Sequence, residues 1–182
     1  RISHAAASFT SAAREFPVDQ LGRQEDWDEL LKRAKNSIRT NSIKDKSTWK
    51  KMHKWLGKNI GNVLDVWRAR HTRQWLHGDV HLANSMCRSD KKDAPVCLID
   101  LAEVHPGHWV EDAIYLERQL WGHHSRLESS NPLKTMAYAR KSIGLKVADD
   151  YPELANIRRL LLAATAPAFM QSEGDPRYLH AC

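Results

Sequence analysis

Apolar residues recur at helical spacing along most of the chain. One such stripe follows a candidate helix start at Asp26 and Glu29, and it consists of Trp27, Leu30, Leu31, Ala34 and Ile38. A carboxylate followed three residues later by glutamate is typical of a capping box at a helix N-terminus. Apolar residues spaced by three and four predict three further helices, over about 48–70, after residue 107 and near the C-terminus. Their apolar stripes are, in that order, Met52/Leu56/Ile60/Val63/Trp67, Trp109/Ala113/Leu116/Leu120 and Leu154/Ile157/Leu161/Ala164.

One region departs from this helical pattern. Two short β-prone pieces, 85–87 and 96–99, flank the polar stretch 88–95, which predicts a β-hairpin. The chain has no internal repeat, low-complexity tract or Pro/Gly linker that would divide it. The predicted fold class is therefore mainly α with a small β-hairpin, in a single domain.

Composition supports a globular protein with an uneven charge. The 182 residues are 42% apolar and 27% charged, with a net charge of +6. Residues 1–76 hold 16 Lys/Arg against 8 Asp/Glu, and several lysines crowd around Trp49 and Trp55. Such a patch could meet a nucleic-acid backbone, but the apolar stripe of the same segment favours a helix with a solvated lysine face. We expect no nucleic-acid partner.

Targeting signals are absent from the given sequence. No run approaches the roughly 20 apolar residues of a membrane-spanning helix, and residues 1–16 lack the apolar stretch of a secretory signal. The three cysteines show no CxxC spacing, so we interpret them as reduced thiols. We expect a soluble, cytoplasmic protein with no membrane partner. Arg1 stands where an initiator Met is expected, which suggests a piece of a longer protein.

Candidate chemistry concentrates beside the hairpin. Asp79 and Asn84 are five residues apart, and Asp100 follows the second strand piece, sixteen residues beyond Asn84. A hairpin can bring these two carboxylates and the amide to one end of its strands. Phosphoryl transfer needs such a set, because a carboxylate orients the attacking hydroxyl and oxygen ligands hold Mg²⁺ against the phosphates.

The segment from His77 to Asn84 reads H-G-D-x-H-x-x-N. It resembles the catalytic segment of the aminoglycoside phosphotransferase and choline kinase-like family, which is related to the protein kinases. The kinase loop H-R-D-x-x-x-x-N has the same spacing from Asp to Asn. In that family the metal-binding Asp is commonly followed by Gly and Asp at intervals of seven and twelve residues, as Asp100, Gly107 and Asp112 are here.

The resemblance implies a role for each matching residue. Asp79 would be the catalytic base, and Asn84 and Asp100 would be the magnesium ligands. His77 and Asp112 would support the loop rather than react.

The resemblance also implies an activity. The chain would belong to an ATP- and Mg²⁺-dependent phosphotransferase, with ATP or GTP as donor and a hydroxyl of a small molecule as acceptor. His81 and Glu103 are possible substrate contacts, although we favour packing of the loop for His81, and surface exposure without a function is the commoner case for a carboxylate such as Glu103.

The resemblance covers the chain only as the C-terminal lobe of a protein-kinase-like α+β fold. Residues 1–76 show helical stripes rather than alternating strands, they contain no GxGxxG, and 2–16 resembles the helix after the interlobe hinge. We expect the N-terminal lobe to precede Arg1. Within the single lobe at 1–182, 1–76 would form the helical part, 77–104 the catalytic loop and metal-binding hairpin, and 105–182 the C-terminal helices. Alone, this lobe is expected to have little or no kinase activity.

Two alternatives remain open on the sequence alone. The chain could be a non-catalytic kinase-like module that binds or regulates. It could also be a metal-dependent hydrolase, whose site would combine Asp79 and Asp100 with histidines from His81, His105, His108, His123 and His124. The second alternative leaves the spacing from Asp100 to Asp112 unexplained.

Overall fold

The computed structural model describes residues 1–19, 22, 24–91, 93–170 and 179. Within these residues the chain is mainly helical, as predicted. Its α-helices, with short 3₁₀ turns after α1, before β2 and after α7, are α1 (Ile2–Ala12), α2 (Trp27–Thr40), α3 (Lys46–Arg68), α4 (Val110–Arg118), α5 (His124–Ser130), α6 (Pro132–Ser142) and α7 (Tyr151–Thr165).

Four short strands form two antiparallel pairs. They are β1 (Gln74–Leu76), β2 (Ser85–Cys87), β3 (Val96–Leu98) and β4 (His105–Gly107). The hairpin pairs β2 with β3 in the register Ser85↔Leu98, which confirms the predicted hairpin. The β1–β4 pair, with Leu76 opposite His105, was not predicted, because Pro and Gly in β4 are residues that strands usually lack.

The chain divides into two compact units, each built from two stretches of sequence. The first unit comprises Arg1–Gln24 and His71–Ala155, and it contains all four strands. In its core α1 and α4 pack against α6, and Leu76, Val80, Val110 and Ile114 are completely buried. These residues flank the predicted catalytic loop, so the loop is mounted on the apolar core of this unit.

The second unit comprises Glu25–Arg70 and Asn156–Cys182. Helix α2 begins at the predicted position, since Oδ1 of Asp26 accepts a hydrogen bond of 2.9 Å from the Glu29 amide. The stripe on α3 is confirmed at Leu56 and Trp67, which are 1% exposed. Trp49, which the sequence places among the lysines, is also buried and packs with Ile38 and Ala166. None of the helices in the described residues is both long enough and apolar enough to span a bilayer.

Candidate active site

The loop between β1 and β2 is held by hydrogen bonds to the side chain of Asp112, in the first turn of α4. This carboxylate is 3% exposed. One of its oxygens accepts from the His77 amide at 3.1 Å, and the other accepts from the Gly78 amide at 2.9 Å. Two successive backbone N–H groups are thus fixed to one side chain.

Gly78 adopts a backbone conformation that favours glycine, and its surroundings leave no room for a side chain. Its φ is +82°, in the left-handed region that a residue with a Cβ enters only at a cost. A Cβ at this position would also collide with the backbone carbonyl of Glu103. The glycine before Asp79 is therefore needed both for the turn and for the close approach of the 103 segment.

His77 joins the two segments that carry the candidate carboxylates. Its ring is completely buried, and its Nδ1 accepts from the Asp79 amide at 3.3 Å. The proton is therefore on Nε2, which donates to the carbonyl of Ile99 at 3.0 Å. Since Ile99 directly precedes Asp100, one imidazole fixes the backbone next to both acids.

The carboxylate of Asp79 accepts several hydrogen bonds. Its Oδ2 accepts from Nδ2 of Asn84 at 2.7 Å and lies 3.3 Å from Nε2 of His81. Nδ1 of His81 accepts from the Ala83 amide at 3.1 Å, which leaves the proton on Nε2 to face Asp79. His81 thus contacts the candidate base and also packs the loop.

Tyr115 is a member of this group that the sequence did not reveal. It lies on α4, three residues after Asp112, and its side chain hydrogen-bonds to Asp79. Partial burial of Asp79 raises its pKa, but the hydrogen bond from Tyr115, the nearby His81 and the Asn84 amide outweigh that effect, so the net pKa lies below the usual value. No signal in the sequence alone indicates this contact, because it depends on how α4 packs against the loop.

Asn84 and Asp100 flank the open end of the β2–β3 ladder. The Asn84 carbonyl accepts a hydrogen bond from the Ile99 amide at 3.0 Å. Asp100, the next residue, therefore comes directly after this last backbone hydrogen bond of the hairpin. Asp100 is exposed, has a φ of +63° and accepts the Ala102 amide on Oδ1 at 3.3 Å. Aspartate is among the residues that enter the left-handed region most readily, because its short side chain can hydrogen-bond to the nearby backbone.

The oxygens of this pair suit a hard cation. Nδ2 of Asn84 donates to the backbone carbonyl of Asp79 at 3.2 Å and also to the Asp79 carboxylate. Oδ1 of Asn84 is therefore the atom that can face a metal. This oxygen and the Asp100 carboxylate are the groups that could hold Mg²⁺, an ion that needs few protein ligands because it keeps several of its waters.

The histidines needed for a zinc or two-metal site do not assemble. His105 donates from Nδ1 to the Glu103 carbonyl at 2.7 Å, and its Nε2 lies 3.9 Å from Glu111. Nδ1 of His108 accepts from the Val110 amide at 3.3 Å. Across the part of the chain that the structure describes, no group of three or more His, Cys, Asp or Glu could hold a metal. A pair of one amide and one carboxylate is a different kind of site.

Two comparisons with known proteins gave matches for this chain. Residues 4–129 match the model of the phosphotransferase enzyme family. Among solved structures, an aminoglycoside phosphotransferase, APH(3'')-Id from Streptomyces rimosus, matches with 18% identity and a TM-score of 0.46. The match covers 87% of this chain and 60% of the other. No curated protein sequence matches the chain.

Proposed function

The chain belongs to the phosphotransferase enzyme family, and we propose that it carries the catalytic loop of a kinase that phosphorylates a hydroxyl group of a small molecule. The donor is ATP or GTP with Mg²⁺. In this proposal Asp79 is the catalytic base, Asn84 and Asp100 hold the metal, and His77 and Asp112 support the loop.

One observation carries the proposal: a partly exposed carboxylate is anchored on a rigid frame next to an amide and a second acid. The side chain of Asp79 is 24% exposed, so an acceptor can reach it. Its backbone is bound to the buried His77 ring, and the loop amides are bound to the buried Asp112. Catalysis of phosphoryl transfer is mostly positioning and charge stabilisation, and this arrangement is suited to positioning.

The hydrogen bonds around Asp79 indicate what it does. Because its pKa is lowered, the carboxylate is ionised at neutral pH and accepts the proton of an acceptor hydroxyl as a hydrogen bond. Such a weak base orients the nucleophile and takes the proton late, which fits a loose transition state in phosphoryl transfer. When bound at Asn84 and Asp100, Mg²⁺ supplies positive charge to the phosphate oxygens.

Substrate contacts, a second lobe and a cellular location complete the proposal. His81 and Glu103 are proposed substrate contacts, since His81 reaches Asp79 and the Glu103 residue is exposed beside the loop. A complementary nucleotide-binding lobe is needed to close over the phosphates, and we propose that a longer protein supplies it. A cytoplasmic location fits the need for a nucleoside triphosphate.

Metal binding tests the proposal without requiring turnover. The 182-residue chain is titrated with Mn²⁺ in the presence of ATP, and bound Mn²⁺ is followed by electron paramagnetic resonance. Wild type should form a ternary complex, and Asp100→Asn should weaken it by at least about tenfold, because one anionic ligand is lost. Asp90→Asn, an exposed carboxylate in the hairpin turn, serves as the control and should bind as wild type does.

The outcomes separate the assignments. Equal Mn²⁺ affinity in the Asp100 variant and wild type would contradict the proposed metal ligands. Turnover is assayed separately, with transfer of the γ-phosphate to a panel of small alcohols. The isolated chain is expected to be nearly inactive, and Mg²⁺-dependent ATP turnover by it would contradict that expectation. If a longer form that turns over nucleotide retains its rate with Asp79→Asn, Asp79 is not the base.

A further inference from the structure

A cationic groove lies between α2 and α3 in the second unit. We call it the α2–α3 groove, and it has a cavity of about 570 Å³. Its lining includes five side chains with a permanent positive charge, which are Lys32, Lys35, Arg39, Lys50 and Lys54. None of the described residues that line it is a carboxylate. The catalytic loop contributes nothing to this lining.

The charges converge because of helical periodicity on two facing helices. Lys32, Lys35 and Arg39 are spaced by three and four residues, so they share one face of α2. Lys50 and Lys54 are four residues apart on α3, whose neighbour in the second unit is α2. From the sequence alone the α3 lysines are separate solvated charges, and only the pairing of the helices brings the two sets around one cavity.

Local ion pairs do not account for this charge. Residues 25–70 hold 12 Lys/Arg and 6 Asp/Glu, a net charge of 12 − 6 = +6. Lys32 lies 3.3 Å from Glu29, one turn earlier on α2, but this pair is solvent-exposed and such a pair offsets little. Five like charges around one cavity repel one another, and an anion bound between them would relieve that repulsion.

One apolar residue of the protein core reaches the groove. Ile38 lines it and is 3% exposed, because it packs into the core of the second unit with Trp49 and Ala166. The aliphatic stems of the surrounding lysines supply further apolar surface, and their flexible ends can reach the charged groups of a bound molecule.

We propose that the α2–α3 groove is a binding site for a small polyanion, a molecule with two or more phosphate groups. The volume is within the range of small-molecule sites, and five cationic side chains from two helices line this one cavity. Lysine ammonium groups, with three donors each, pair well with phosphate oxygens. This site is independent of phosphoryl transfer at Asp79.

Calorimetry with inorganic tripolyphosphate tests this site on the 182-residue chain. EDTA is included, so that metal-dependent binding of phosphates at Asn84 and Asp100 does not contribute. Lys50→Gln combined with Lys54→Gln removes two groove charges. The matched control combines Lys51→Gln with Lys58→Gln, which are exposed residues on the same helix that do not line the cavity.

The groove variant should bind tripolyphosphate at least about tenfold more weakly than wild type, and the control should change less than about twofold. Both variants should retain the wild-type urea midpoint. Equal losses in the two variants would overturn the proposal, because binding would then follow overall charge. No detectable heat with wild type would also overturn it. A single-stranded RNA that displaces the probe and binds both variants alike would instead show an extended nucleic-acid surface.

Discussion

The buried Asp112 provides a quantitative test of the loop frame. Burial raises the pKa of its carboxyl from 3.8 to about 6, although hydrogen bonds from the amides of Gly78 and His77 and the nearby His105 act in the opposite direction. Because the native protein binds this proton more tightly than the unfolded chain does, Asp112 favours folding most at low pH. Its contribution is complete below pH 3.8 and is lost as the pH rises through about 6.

The size of this effect follows from the shift. A difference of about 2 pKa units, at about 1.4 kcal/mol for each unit, makes burial of the ionised form cost about 3 kcal/mol relative to the protonated form. About half of that change falls between pH 5 and pH 7.5. Relative to a side chain that cannot ionise, wild type should therefore lose about 1.5 kcal/mol of unfolding free energy across this interval.

Urea unfolding of wild type and Asp112→Asn at several pH values between 5 and 7.5 measures this loss. The asparagine amide will face a backbone N–H and weaken the frame at every pH by about 1–3 kcal/mol, but that constant offset leaves the slope unchanged. Asp150→Asn, at an exposed position, controls for the loss of a carboxylate. A wild-type minus Asp112→Asn difference that stays constant with pH would refute the reasoning.

Four further substitutions address the loop, α3 and the carboxylate of Asp79. Gly78→Ala should destabilise the protein by about 3 kcal/mol or more, since its positive φ and the adjoining backbone leave no room for a Cβ. Gly61→Ala, with open space around it on α3, should instead stabilise the protein by about 0.5–1 kcal/mol. Urea midpoints in the opposite order would contradict this reasoning. Trp67→Ala should cost about 3–5 kcal/mol of unfolding free energy, because the ring is 1% exposed, and a loss below about 1 kcal/mol would show that the site is not tightly packed. Tyr115→Phe should raise the pKa of Asp79 by removing a hydrogen bond to the ionised form, as read by carboxyl-carbon NMR titration, and an unchanged or lower pKa would show that this contact is absent in solution.

Local sequence patterns were sufficient for the elements. The cap at Asp26, the stripe through Leu56 and Trp67, and the hairpin 85–98 all depend on neighbours within a few residues. Hydrophobic periodicity and capping chemistry act over this range. The β1–β4 pair was missed because its residues are about 30 positions apart, and pairing over such a distance depends on the assembled fold.

In the candidate site, too, the sequence indicated some residues, whereas contacts that depend on packing between separate segments were missed. The spacing of polar residues around the hairpin, together with the resemblance to a known family, singled out Asp79, Asn84 and Asp100. Tyr115 and the close approach of the 103 segment to Gly78 could not be predicted. They arise from the way α4 and the turn after β3 pack against the loop, and no pattern in a single sequence reports that packing.

The geometry also separates what is rigid in the site from what is exposed. Asp112 and His77 are buried, and their side chains hydrogen-bond to backbone groups of the loop and of Ile99, so they can fix the frame whether or not a ligand is present. Asp100 is exposed, and its carboxylate accepts the nearby Ala102 amide; the metal-binding role proposed for it does not require it to support the frame. If this division holds, a frame substitution such as Asp112→Asn will lower both stability and Mn²⁺ affinity, whereas Asp100→Asn will lower affinity and leave the urea midpoint nearly unchanged. A large loss of stability in Asp100→Asn would mean that the acid is part of the frame.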